Sequence, residues 1–279
     1  MTTRIAITIA IVGRGRLGTC LATAWAAQGE SVVTASARAA DVVDVVATAD
    51  LVLLTVPDDA IKAVADALPW RPGQWVVHCS GATELTALAA ALRAGAQVGG
   101  FHPLQIFSDP AQAVQLLAGS AVALEAEAPP LLAALQRLAA VLAMRPLTLP
   151  PGSRAAYHAA ASFSASFLLS MLDESVSIWA AVGLPREVAL AALLPLARGT
   201  LAAAASRGLP GALAGPISRG DAGVVAAHLQ ALDVLGNGHG DFYRALSLRQ
   251  LRLAQHSGRV SAASVQQMET LLRCSPSTA

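Results

Sequence analysis

The sequence predicts an α/β domain built on a parallel sheet, followed by an all-helical region. Three observations predict it. The apolar run Ile9-Ala10-Ile11-Val12 leads straight into Gly13-Arg14-Gly15-Arg16-Leu17-Gly18, and an amphipathic stretch follows from about Arg16 to Gln28. Up to about Pro150, short β-branched runs alternate with Ala/Leu-rich helical stretches, the pattern of consecutive βαβ units. The turn Pro150-Pro151-Gly152-Ser153 then breaks the alternation, and strand signals give way to helical periodicity as far as Leu272. The expected division is therefore 1–150 and 151–279.

Strands are expected at Ile5–Val12, Ser31–Ala35, Leu51–Val56, Trp75–Cys79, Gln97–Gly100, Ala121–Leu124 and Pro146–Leu149, with helices between them. The run Leu51-Val52-Leu53-Leu54-Thr55-Val56 is apolar on both faces, as a strand covered by helices on both sides must be. In the second region the periodicity predicts one long helix over Arg154–Val182, then helices over Arg186–Ser206, Asp221–Leu235, Asp241–His256 and Ser261–Arg273. The first exceeds what a domain of this size buries alone, so a second copy of the chain is expected to cover part of it, giving a homodimer through the helical region.

Composition excludes several classes. A formal charge of +1 with 13% charged residues supplies no basic field for nucleic acid. Cys20, Cys79 and Cys274 are odd in number, far apart and outside any C-x-x-C spacing, which argues against a disulfide framework or thiolate metal site and for a reducing, cytoplasmic setting. The apolar stretch Ile5 to Val12 has no small-residue cleavage site before the glycine turn and reads as a strand, not a signal peptide. Although 54% of residues are hydrophobic, the apolar runs are interrupted by Arg, Pro, Asp or Gly before reaching the ~18 residues of a bilayer span. A soluble protein with no membrane partner is expected.

The glycine loop carries the clearest chemistry. Its G-x-G-x-x-G spacing, between strand and helix, is that of a dinucleotide site: Gly13 turns the chain, Gly15 lets a pyrophosphate approach the backbone, and Gly18 lets helix pack on strand. With Arg14, Arg16 and Leu17 it would hold the diphosphate at a helix N-terminus, where free N–H groups and the positive end of the dipole meet. NAD sites usually place Asp or Glu at the end of the second strand, whereas here the strand ends Thr34-Ala35-Ser36-Ala37-Arg38. Ser36 and Arg38, with Arg14 opposite, suit a 2′-phosphate, so NADP is the expected cofactor. Val56 and Pro57 end the third strand, where the chain would pass the nicotinamide ribose, and Asp58 or Asp59 is expected to cap the next helix.

Two more strand ends carry His78-Cys79-Ser80-Gly81 and Phe101-His102-Pro103-Leu104. Such ends collect functional residues in open α/β sheets, although either histidine could equally satisfy a buried carbonyl. His158, Ser162 and Ser166 recur every four residues and would share one face of the long helix, with His158 the first choice for an acid beside Tyr157 and His102 and His78 the second. Ser80 would orient substrate. Arg219, in the turn Gly215-Pro216-Ile217-Ser218-Arg219-Gly220-Asp221, could clamp a carboxylate or instead tie helices or subunits together.

On Gly13-Arg14-Gly15-Arg16-Leu17-Gly18, Thr55-Val56-Pro57-Asp58-Asp59-Ala60-Ile61, His78-Cys79-Ser80-Gly81, His102-Pro103-Leu104, Tyr157-His158-Ala159-Ala160 and Gly215 to Asp221, nearly the whole chain resembles bacterial Rossmann-like oxidoreductases with a C-terminal helical domain of unknown function. These are distant relatives of 6-phosphogluconate dehydrogenase, ketopantoate reductase and pyrroline-5-carboxylate reductase. The resemblance implies a Rossmann-type fold, a nicotinamide cofactor, a helical dimer interface and no particular substrate. It also implies an asparagine where Ser166 stands, and a catalytic lysine in the helical half, where this chain has none. Lys62 is its only lysine and lies in the first domain. Histidine is the natural substitute, since its pKa of about 6.5 lies near working pH. The reading that follows is an NADP-dependent reductase of a small keto or imino compound held in a cleft between the halves. The alternative is an NADP-binding sensor or scaffold that keeps the fold without the chemistry.

Overall fold

The computed structural model describes residues 7–274. Contacts divide it into two compact units, one ending at Ala165 and the other starting at Ser166.

The first unit contains seven strands: β1 (Thr8–Val12), β2 (Ser31–Ala35), β3 (Leu51–Leu54), β4 (Trp75–His78), β5 (Gln97–Pro103), β6 (Ala121–Ala126) and β7 (Arg145–Thr148). Between them run α1 (Arg16–Ala27), α2 (Val42–Thr48), α3 (Asp58–Ala67), α4 (Ala89–Arg93), α5 (Pro110–Leu116) and α6 (Pro129–Val141), and α7 (Arg154–Ser164) closes the unit. The strands form one sheet in the order β2-β1-β3-β4-β5-β6-β7. All seven expected strands are present. The start of the first, at Ile5 and Ala6, lies outside the described residues.

Strand alternation divides the apolar side chains between two cores. Ile9, Ile11, Leu51, Leu53 and Val77 pack with Trp25 of α1 and Leu131, Leu135 and Leu138 of α6. Ala10, Val12, Val52, Leu54 and Val76 pack on the opposite face with Val46 of α2 and Ile61 of α3. The sheet switches direction between β1 and β3, since β2 lies on one side of β1 and β3 on the other, and the carboxyl ends meet at that switch.

The structure departs from a purely parallel sheet at one pair, because β5 and β6 are antiparallel. Pro103 at the end of β5 lies opposite Val122 near the start of β6, so the connection through α5 leaves and re-enters the sheet at the same edge instead of crossing back over it.

The second unit comprises α8 (Ser166–Ala181), α9 (Arg186–Ala212), α10 (Pro216–Arg219), α11 (Ala222–Leu235), α12 (His239–His256) and α13 (Ala262–Arg273). Ile217, Val225, Leu229, Leu251, Val265 and Met268, from α10 to α13, form its core. Asp221 caps α11 by accepting from the Val224 N–H at 3.2 Å, as expected. Asp58 and Asp59 do not cap α3. Pro57 is the N-cap residue, and the two carboxylates sit in the first turn without a side-chain cap bond, where they still complement the helix dipole.

The single long helix expected over 154–182 is two helices. Ala165 leaves helical geometry (φ −120°, ψ −89°), so His158 and Ser162 lie on α7 while Ser166 begins α8, and the three do not form one continuous stripe. Two stretches, 154–181 and 186–212, have the length and mean hydropathy of a bilayer span. The first is broken at Ala165, and the second contains Pro195, Pro210 and a non-helical Gly208 (φ 69°).

Candidate functional site

The glycine loop has the geometry its spacing predicts. Gly13 adopts φ 127°, a conformation side chains avoid, and a Cβ there would lie 2.7 Å from Oγ1 of Thr55. A Cβ on Gly18 would collide with the Gly13 carbonyl. Around Gly15, by contrast, nothing lies within 4 Å of where a Cβ would stand. Gly15 is the N-cap of α1, and no side chain caps that helix or puts an acid in its first turn. An uncapped N-terminus leaves N–H donors unpaired, and open space in front of them leaves room for an anion.

The rim of this loop is basic. Nη2 of Arg14 donates to the Thr34 carbonyl at 2.9 Å, which holds the guanidinium at the end of β2. Ser36 and Arg38 follow that strand directly, with the Arg38 N–H donating to Oγ of Ser36 at 3.4 Å and Arg38 exposed. Thr55, after β3, donates its hydroxyl to the Gly13 carbonyl at 2.9 Å, and Val56 and Pro57 continue along the same edge. Arg16 and Leu17 form the first turn of α1.

A second cluster gathers at the ends of β4 and β5. Nδ1 of His102 is 3.0 Å from the Tyr157 hydroxyl. The His102 and His158 rings meet edge to face with centroids 5.9 Å apart. Gly81 is the floor of this contact, since a Cβ there would lie 2.7 Å from both rings. His158 is exposed. Of the expected site residues, the structure therefore brings His102 and His158 together, with Tyr157 as a third member.

His78 and Ser80 stand behind this surface. His78 is fully buried, and neither ring nitrogen makes a hydrogen bond among the described residues. The Ser80 hydroxyl is committed to its own turn: it donates to Oγ1 of Thr83 and accepts from the Ala82 and Thr83 N–H groups, all within 3.1 Å. In this arrangement His78 is sealed from solvent and the Ser80 hydroxyl is engaged within its own turn. Arg219 belongs to the second unit, where it ends α10 and is exposed.

Sequence reasoning missed Arg154. Its side chain is 1% exposed, its Nε donates to Oε2 of Glu125 at 2.7 Å, and its Nη1 donates to the Ser80 carbonyl at 2.9 Å. Its guanidinium occupies the space a Cβ on Gly100 would need. One signal was available. A cation in the first turn of a helix opposes the dipole, so an arginine there calls for another reason to be retained. This buried arginine also ties α7 to the sheet, and the first unit ends at Ala165, one helix beyond the Pro150-Pro151 turn.

The electrostatics follow from burial. Burial pushes His78 down to about 3, helped by Arg154 and His102. Burial lowers His102 to about 4, with His158 and Arg154 adding repulsion and Asp58 acting in the opposite sense. Burial also raises the Cys79 thiol well above its usual range and raises Tyr157, against a smaller opposing effect of Arg154. Both buried histidines are thus neutral near pH 7, and Tyr157 keeps its proton. The unfolded chain takes up histidine protons near pH 6.5, whereas the folded chain resists until about 4 and 3. Stability should therefore be intact above 6.5 and fall as pH drops toward 4, by at most about 1.4 kcal/mol per pH unit per histidine. Urea midpoints measured from pH 7 to 4.5 should decline over that window, and His102→Gln should flatten the decline. A midpoint independent of pH across that range would refute the assignment.

Comparisons with known proteins agree with this architecture. Residues 35–103 match the family model of a Rossmann-like domain, and residues 120–250 that of a domain of unknown function (DUF2520). No curated protein sequence matches the chain. Among solved structures, a protein from Thermotoga maritima superposes with a TM-score of 0.72 at 20% identity, covering 90% of this chain and 100% of its own. A candidate NADP oxidoreductase from Bacteroides fragilis gives 0.65 at 21% identity, over 88% and 98%. The reductive aminase from Aspergillus terreus, in complex with NADPH and ethyl-5-oxohexanoate, gives 0.59 at 15% identity, over 96% and 92%. At these identities the likeness is one of fold. The chain is thus similar to a Rossmann-like domain over residues 35–103 and to the domain of unknown function DUF2520 over residues 120–250.

Proposed function

We propose that this protein is an NADP-dependent oxidoreductase that reduces a small keto or imino compound beside His102 and His158. The observation that carries the reading is the first loop: Gly15 faces open space before the uncapped N-terminus of α1, and Arg14 is held across it at the end of β2. These features fit the two anionic parts of NADP. The diphosphate would lie on the N–H groups of Gly15, Arg16 and Leu17, and the 2′-phosphate between Arg14, Ser36 and Arg38. Solved neighbours support the class, since those named above include one bound to NADPH and one named for NADP.

When bound, the nicotinamide supplies a hydride. The chain's own residues must then place the substrate and deliver a proton to the oxygen or nitrogen being reduced. His158 is the proposed acid, because its exposed ring lies against His102 and Gly81, where a ligand can reach it. His102 is the proposed hydrogen-bonding partner, kept neutral by burial and anchored by Tyr157. Arg219 remains a proposed carboxylate clamp in the second unit.

One observation favours a second reading, a nucleotide-binding sensor without turnover. The chain's single lysine, Lys62, lies on the surface of α3 paired with Asp66, and the helical half supplies none.

The second unit is proposed to form a homodimer. Over its 27 residues α9 buries only Ala189, and Leu190, Leu196 and Leu201 are exposed along it, as is Leu169 on α8. Isolated helices draw most of their stability from packing an apolar face, and a second copy offers the matching face.

Three measurements test these proposals. Calorimetry should show NADPH binding at least tenfold tighter than NADH, with Arg38→Ala losing roughly tenfold for NADPH alone, as expected for one charge-assisted contact of ~1.5 kcal/mol. Equal affinities would remove the 2′-phosphate assignment. NADPH oxidation against a panel of 2-keto acids and cyclic imines should reveal turnover that His158→Ala lowers by ~10²–10⁴ without altering NADPH affinity, whereas tight binding with no turnover on any member favours the sensor. Light scattering should return twice the chain mass, and a monomer at micromolar concentration would overturn the dimer.

A further inference from the structure

Arg154 lies outside every motif that the sequence singles out, yet the histidine cluster is assembled around it. In the sheet, Gly100 pairs with His78 on one side and with Glu125 on the other. Paired residues share a face of the sheet, so the missing side chain at Gly100 leaves a slot between His78 and Glu125. The Arg154 guanidinium fills that slot, bonded to Glu125 and to the Ser80 carbonyl. Its backbone N–H also donates to Oε1 of Glu84 at 3.3 Å. A single side chain thus joins the first turn of α7 to β5, to β6 and to the loop after β4.

Such an arrangement is costly. Burying a charge costs several kcal/mol unless a partner compensates, Nη2 of Arg154 has no hydrogen-bond partner among the described residues, and the positive charge sits at the unfavourable end of a helix. Helix formation alone would not select it. What it achieves is spatial: counting from Arg154, Tyr157 is at i+3 and His158 at i+4, so all three project from one side of α7. Those two residues are the ones that meet His102.

We propose that Arg154 is a positioning residue, locked by Glu125 and the Ser80 carbonyl so that α7 presents Tyr157 to Nδ1 of His102 and His158 to its ring. Its part in catalysis rests on the reductase reading; the positioning itself does not. The fixed charge has a second effect. The groups facing His102 are His158, Tyr157 and Arg154 from α7, His78 from β4 and Asp58 from α3, while Glu125 of β6 and Glu84 after β4 engage Arg154. Of those acting on His102 by charge, Asp58 alone favours protonation, so Arg154 helps to keep the ring neutral while His158 handles the proton.

The test uses the full-length protein with Arg154→Lys, which keeps the charge but loses the fork, and Arg154→Met, which loses both. Histidine and tyrosine ring signals are followed by NMR without nucleotide, alongside NADPH affinity and turnover. In Arg154→Lys the Tyr157–His102 ring contact should disappear while His102 still titrates in the acid range. Turnover should drop at least tenfold, with NADPH affinity within twofold of the parent. In Arg154→Met the contact should also disappear and the His102 midpoint should rise, with burial and His158 still holding it below the usual histidine range. A folded Arg154→Lys protein that keeps the ring contact overturns the positioning, and an Arg154→Met protein with an unmoved midpoint overturns the charge effect on His102. Should Arg154→Met not fold, Arg154→Lys decides the positioning alone. Because the ring signals need no substrate, loss of the contact in Arg154→Lys when the parent protein itself turns over no member of the panel would leave the positioning standing and count against the reductase reading alone.

Discussion

The structure of the first unit depends on one line of backbone register across its sheet. Val12, Leu54, His78, Gly100 and Glu125 pair in succession from β1 through β3, β4 and β5 to β6. Because β1, β3, β4 and β5 run parallel, the residues that follow this line lie at one edge: Gly13 after Val12, Thr55 after Leu54, Cys79 to Gly81 after His78, and His102 beyond Gly100. The glycine loop and the histidine cluster are therefore neighbours by construction. Slipping one strand by a residue would exchange its two faces between two separate cores, each built from side chains of several strands and helices.

That edge carries two kinds of charge management. At the glycine loop the helix end is left uncapped and the arginines lie at the rim, exposed to solvent, so the positive potential faces outward. At the histidine cluster the positive charge of Arg154 is taken inside, neutralised by Glu125 and spent on geometry. The same burial that holds Arg154 in place depresses His78 and His102 and leaves His158, on the exposed side of the cluster, as the ring open to solvent. The second unit follows a simpler rule, with a core drawn from α10 to α13, an α8 whose apolar side chains are mostly half-buried, and a long α9 that buries only Ala189.

Much of this was legible in the residues. Short apolar, β-branched runs between helical stretches placed all seven strands, and the spacing of Gly13, Gly15 and Gly18 foretold three distinct backbone environments that the structure reproduces. His102 and His158 stand out in the sequence as polar rings at a strand end and on an alanine-rich helix, and the structure brings the two rings together. The reading failed where a local signal was missing. Nothing at Ala165 marks a helix break, since alanine is the best helix former, and so Ser166 was assigned to the wrong helix. Asp58 and Asp59 looked like caps, but Pro57 occupies the cap position and pushes them into the first turn.

What the sequence determined by itself was the class of fold and the backbone geometry of the glycine loop, both of which depend on residues close together in the chain. What only the tertiary structure decided was the pairing of Arg154 with Glu125, the slot at Gly100, and the separation of the histidines into a sealed His78 and an accessible His158. Those features join β4, β5, β6 and α7 across tens of residues, and burial and register are properties of the assembled sheet that no local pattern contains.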